Sequence, residues 1–103
     1  MQEIKNIINE CVSIYNYSVN QVILFGSRAK GTYSEDSDYD ILVVINENIK
    51  DEEKIKISCN ITRNLADNWI NADIIVKTKK ELKKYNNCIG SIVNIALREG
   101  VLV

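Results

Sequence analysis

Five consecutive apolar residues, Ile41-Leu42-Val43-Val44-Ile45, follow two aspartates separated by a tyrosine, Asp38-Tyr39-Asp40. No other feature restricts the fold as much. A strand with one wet face alternates apolar and polar residues, whereas a strand that is apolar at every position is covered on both faces. A chain of 103 residues has room for one small core. The cover must therefore come from helices packed against a small sheet. A second such run, Val22-Ile23-Leu24-Phe25, stops at Gly26.

The helices can be read from their spacing. Ile4, Ile7, Ile8, Cys11, Val12 and Tyr15 recur at helical intervals and predict a first helix ending near Asn16. Ile57, Ile61 and Leu65, with Ile55, Cys59 and Thr62 beside them, predict a second helix from about Asp51 to Ala66. Asp73-Ile74-Ile75-Val76 reads as a third strand, preceded by Trp69 and Ile70. Thr78 and Glu81 form a capping box that opens a short Lys-rich helix. Ile89, Ile92, Val93, Ala96 and Leu97 mark a last helix with Gly100 placed to end it, and Val101-Leu102-Val103 can add an edge strand. The expected fold is α/β (α+β), a small mixed sheet of three to four strands backed by helices, with residues 1–103 forming a single domain.

Between the first two strands lies the chemistry. Gly26 lets backbone approach a ligand closely, and the N–H groups of a short helical turn over Ser27 to Gly31 attract anions. The Ser27 hydroxyl adds a donor, and Arg28 or Lys30 adds charge. Asp38 and Asp40 are alternate residues and share a face, about 6.5–7 Å apart along a strand. Two such charges beside an apolar strand repel unless a cation neutralises them. Asp73 begins the third strand much as Asp40 begins the second, so neighbouring strands bring the two acids together. An all-oxygen set with no histidine in the chain favours Mg²⁺ or Mn²⁺ over zinc.

Two other motifs explain half of this stretch each. Asp36, Asp38, Asp40 and Glu47 match four positions of a calcium-binding EF-hand loop, but Ile41 stands where its glycine is required. Gly26 and Gly31 have the outer spacing of a Walker A loop, but Thr32 stands where its lysine is required.

The whole pattern is Phe25-Gly26-Ser27, a spacer over residues 28–37, then Asp38-Tyr39-Asp40-Ile41. It resembles the signature of the nucleotidyltransferase superfamily related to DNA polymerase β, and in particular the minimal nucleotidyltransferases paired with HEPN-domain toxins. The resemblance implies that Gly26, Ser27 and Arg28 bind the nucleotide phosphates. It implies that Asp38, Asp40 and Asp73 are the catalytic acids and ligands of a pair of Mg²⁺ ions, with Mn²⁺ able to substitute. It further implies transfer of AMP from ATP to a hydroxyl, a tyrosine, of a HEPN-type RNase toxin whose antitoxin this chain would be. Two alternatives share the motif: an antitoxin acting by binding alone, and a nucleotidyltransferase acting on a small molecule. The larger superfamily members carry a helical domain for base and acceptor; here a partner chain or a second copy would fill that role.

Composition sets limits on the partners. A net charge of −1 argues against direct nucleic-acid binding, and the run Lys77, Lys79, Lys80, Lys83 and Lys84 reads as a solvated helix face, with a docking surface for an acidic partner or for RNA as the alternative. No apolar segment is long enough to enter a membrane. Cys11, Cys59 and Cys88 lack any metal-site spacing and are expected to be small buried hydrophobes in a reducing, cytoplasmic compartment. Trp69 and the tyrosines are expected to pack in the core or at an interface.

Overall fold

The computed structural model describes residues 1–32, 34 and 37–103. Helix α1 (Gln2–Ile14) leads into β1 (Val19–Phe25), the short α2 (Gly26–Lys30) and β2 (Tyr39–Ile45). Helix α3 (Asp51–Asp67) crosses to β3 (Ala72–Thr78), and α4 (Lys79–Tyr85), α5 (Ile92–Glu99) and β4 (Val101–Leu102) complete the order. The sheet runs β3-β2-β1-β4. Strand β1 is antiparallel to β2 and β4, and β2 is parallel to β3. The parallel pair needs a crossover, which α3 supplies.

The unbroken apolar run of β2 is explained by cover on both faces. Ile41, Val43 and Ile45 pack with Ile4, Ile8 and Val12 of α1 and with Ile57, Ile61 and Leu65 of α3. Leu42 and Val44 turn the other way, onto Ile23, Phe25 and Ala96, with Leu82 and Leu97 alongside. All five residues of Ile41–Ile45 are fully buried. This second face is the thinner one, because α4 and α5 are short.

Helix ends follow local chemistry. Asn16, at φ 63, turns the chain out of α1. Thr78 Oγ1 accepts from the Glu81 N–H while Glu81 returns a bond to the Thr78 N–H, the expected capping box. Lys54, largely buried, bonds Asp51 at 3.0 Å and Glu81 at 2.6 Å, tying α3 to α4. Among the described residues no helix is long and apolar enough to cross a membrane.

Several expectations need correction. Only Cys11 is buried; Cys59 and Cys88 are exposed. Cys59 lies two residues from Ile57, about 200° around the helix, so it faces away from the buried stripe. Ile55 and Thr62 are likewise exposed. Trp69 is 96% exposed because a turn at φ 63 points it outward, which removes it from the core. Ile89 precedes α5 rather than belonging to it, and it is exposed. Gly100 does end α5, but at φ −83 rather than in a left-handed conformation. Its reason is space: a Cβ there would meet Ala96 O at 2.4 Å and Ile23 Cγ2 at 2.5 Å.

Candidate functional site

The aspartates and the glycine turn meet where β1 ends and β2 and β3 begin. Strand β1 brings Phe25 opposite Asp40, and the next residue, Gly26, opens α2 at φ +72. An L-residue is strained in that conformation. Space is a second requirement, because a Cβ at Gly26 would lie 2.2 Å from Asp40 Oδ2 and 3.1 Å from its Cγ. Gly26 is therefore the floor on which the Asp40 carboxylate rests.

Parallel pairing then sets Asp40 directly opposite Asp73. Asp40 is of the same parity as Leu42 and Val44, and Asp73 of the same parity as Ile75, so both project on the face covered by α4 and α5. Asp38 lies one strand step before Asp40, at the rim, and is exposed, as is Asp73; Asp40 is half-buried. Burial, reinforced by the charges of Asp73 and then Asp38, pushes the Asp40 carboxyl above its usual range. The three acids thus share one field. Among the described residues no three His, Cys, Asp or Glu side chains are drawn together tightly enough to enclose an ion as they stand.

Arg28 has a structural role that the sequence did not reveal. Its Nε and Nη2 donate to the Ser37 carbonyl at 3.1 and 2.8 Å, and Nη1 donates to the Tyr39 hydroxyl at 3.4 Å. The guanidinium also lies 4.1 Å from the Tyr39 ring centroid, a cation–π distance. Arg28 therefore braces α2 against the backbone entering Asp38, holding the glycine turn and the acids at a set separation. The fixed fork of the guanidinium suits that task better than an ammonium would. The tyrosine between the two aspartates was the only sequence signal for this brace.

The other residues of the turn also have defined places. Ser27 is half-buried in the first turn of α2, and its carbonyl accepts from the N–H of Gly31 and from that of Thr32 at 3.1 Å. Lys30 pairs with Glu99 of α5 at 3.3 Å, on the far end of the short helix. Ile41 is strand, fully buried, which rules out a calcium loop through it; Asp36, the first residue of that decoy, lies outside the described residues. Among the described residues, clefts lie between α3 and β3 and on either side of Leu102.

The glycine turn, the Ser27 hydroxyl and the three carboxylates thus lie at the same end of the sheet, where β1 ends and β2 and β3 begin. Residues 4–103 match the family model of the nucleotidyltransferase domain, and the chain belongs to that family. Two Methanocaldococcus jannaschii proteins provisionally named protein adenylyltransferases, MJ0604 and MJ0141, are 49% identical over 41 residues and 39% identical over 54 residues. These matches cover 40% and 50% of this chain, and 41% and 54% of the relatives, so the chain aligns with about half of their length. The fold is shared with a toxin–antitoxin crystal structure containing AMP-PNP (TM-score 0.58, 18% identity, covering 95% of this chain and 70% of that one). It is also shared with a double Asp-to-Glu mutant of the MntA–HpeT toxin–antitoxin (TM-score 0.61, 14% identity, covering 98% and 69%).

Proposed function

We propose that this domain transfers AMP from ATP to a hydroxyl, a tyrosine, of a partner HEPN-type RNase toxin, and so acts as its antitoxin. The observation that carries the reading is the register Asp40↔Asp73, with Gly26 cleared for the Asp40 carboxylate. The family membership, the adenylyltransferase names of the relatives and the toxin–antitoxin neighbour with AMP-PNP support it.

The acids fit a divalent cation. Asp40 carries a carboxyl made less acidic by burial and by its two acidic neighbours, a conflict that a cation would relieve. Asp38, Asp40 and Asp73 would hold Mg²⁺, with Mn²⁺ able to replace it, through oxygen donors alone. When bound, the metal supplies positive charge to the triphosphate and to the departing pyrophosphate.

The remaining steps belong to the chain. Gly26 and Ser27 bind the β- and γ-phosphates through backbone and hydroxyl donors, while Arg28 keeps that turn in line with the acids. Asp73, exposed at the rim, orients the acceptor hydroxyl and takes its proton. The acceptor oxygen forms a bond to the α-phosphorus as the bond from that phosphorus to the bridging oxygen breaks, and pyrophosphate leaves with the electron pair. The partner supplies the acceptor.

The test is label transfer. Incubation of the complex with ATP labelled at the α-phosphate should label the partner, whereas ATP labelled at the γ-phosphate should not. Asp38→Asn with Asp40→Asn should abolish labelling. Equal labelling from both positions would refute AMP transfer, and undiminished labelling in the double variant would refute the role of the acids.

A further inference from the structure

Among the described residues, strand β3 is an edge of the sheet, with β2 on one side only. The Asn71 carbonyl accepts from the Tyr39 N–H, so in the parallel ladder the odd residues of β3 turn their backbone groups toward β2. The N–H and C=O of Ile74 and Val76 then face away from the sheet. Such an edge invites another strand, and natural proteins commonly guard it with lysine. Here the guard is unusual in its sign pattern. Asp73 and Lys77 lie two residues to either side of Ile75 on one face, one acidic and one basic.

We propose that β3 pairs antiparallel with β3 of a second copy of this chain, about a two-fold axis through Ile75. In that register Ile75 faces the partner's Ile75, and Asp73 faces the partner's Lys77 twice over. Opposite charges directly across an antiparallel ladder are favourable pairs, and the charge pattern therefore favours this self-pairing. Backbone parity agrees, since Ile74 and Val76 exchange hydrogen bonds across the axis and Ile75 occupies a non-hydrogen-bonded pair. Lys77 is available in part, being 4.0 Å from Glu81 with a side chain 29% exposed. Beside the same edge, a cleft lined by Ile55, Ser58 and Val76 leaves Ile55 63% exposed, apolar surface that an isologous contact can cover. The contact brings the partner's Lys77 to Asp73, so the second copy adds a cation at the rim of the acid site. The pairing uses Asp73 only as a charge on a sheet edge, and stands or falls apart from the nucleotidyl reading.

Light scattering on the purified chain at high micromolar concentration should give twice the 11.7 kDa chain mass. Lys77→Asp and Ile75→Lys, each checked by circular dichroism for native secondary structure, should return the mass to that of a monomer. With Cys59 and Cys88 replaced by serine, Ile75→Cys should form an intermolecular disulfide under mild oxidation, because the residue meets itself at the axis. Lys79→Cys, outside the strand, should crosslink far less. A monomeric wild-type mass, a dimer that survives Lys77→Asp, or equal crosslinking at 75 and 79 would each overturn the proposal.

Discussion

Replacing Gly26 with alanine tests the site at its tightest point. The backbone there has φ +72, which costs an L-residue about 1–2 kcal/mol. The added Cβ would stand 2.2 Å from Asp40 Oδ2, so the carboxylate must retreat by about 1.2 Å to reach the 3.4 Å of ordinary contact. Asp40 is only half-buried and can swing outward, so backbone strain dominates the stability loss while the displaced carboxylate dominates the loss of function. A penalty of about 1–2 kcal/mol in a domain of this size lowers Tm by about 5–15 °C. Urea unfolding followed by circular dichroism measures the first effect. A double-mutant cycle separates the two: in an Asp40→Ala background the contact is gone and only the strain remains, so Gly26→Ala should cost less there by about 0.5 kcal/mol or more. Equal costs in both backgrounds would show that the carboxylate does not rest on Gly26. A Gly26→Ala protein as stable as the wild type would refute the strained turn itself.

The raised Asp40 carboxyl carries a sign. Its charged form is disfavoured by burial and by Asp73 and Asp38, so its favourable contribution is complete below the ordinary carboxylate value and is lost as pH rises through the raised one. Asp40→Asn should therefore be more stable than the wild type at neutral pH, with the gap closing in acid, in urea midpoints taken over about pH 3–7. Adding Mg²⁺ should raise the wild-type Tm, EDTA should reverse the gain, and Asp40→Asn should show neither response, since a ligand stabilises only the state that binds it. Lys54→Met should cost about 1–3 kcal/mol, because it strips the counter-charge from Glu81, whose carboxyl is desolvated yet held below its usual value by Lys54 and the Thr78 N–H. That stability is present above the ordinary carboxylate range and lost as pH falls, so the variant should also show a flatter acid limb in thermal melts. Arg28→Lys keeps the charge but not the fork on the Ser37 carbonyl, and should reduce label transfer far more than it reduces Tm.

Much of this was legible because β2 leaves few options. Five apolar residues in succession demanded cover on both faces, and α1 with α3 on one side and α5 on the other provide it. Equivalent positions at the starts of two strands foretold the meeting of Asp40 and Asp73, since parallel neighbours align their beginnings. The brace formed by Arg28 was hidden, because it depends on where Ser37 and Tyr39 fall after the chain has turned, and no periodicity encodes that. Cys59 was misjudged, and the core option for Trp69 failed, for the same kind of reason. Residue type suggested burial, while helix phase and a left-handed turn decided exposure. Gly100 ends its helix as expected, yet for lack of space beside Ile23 and Ala96 rather than for backbone freedom.

On the proposed reading, Asp38, Asp40 and Asp73 act together on a pair of divalent cations and one nucleotide. Mn²⁺ binding followed by electron paramagnetic resonance, with a non-hydrolysable ATP analogue present, tests it most directly. The wild type should take up Mn²⁺ in a nucleotide-dependent manner, and Asp38→Asn, Asp40→Asn and Asp73→Asn should each weaken that uptake. Undiminished, nucleotide-dependent Mn²⁺ uptake in all three variants would contradict it.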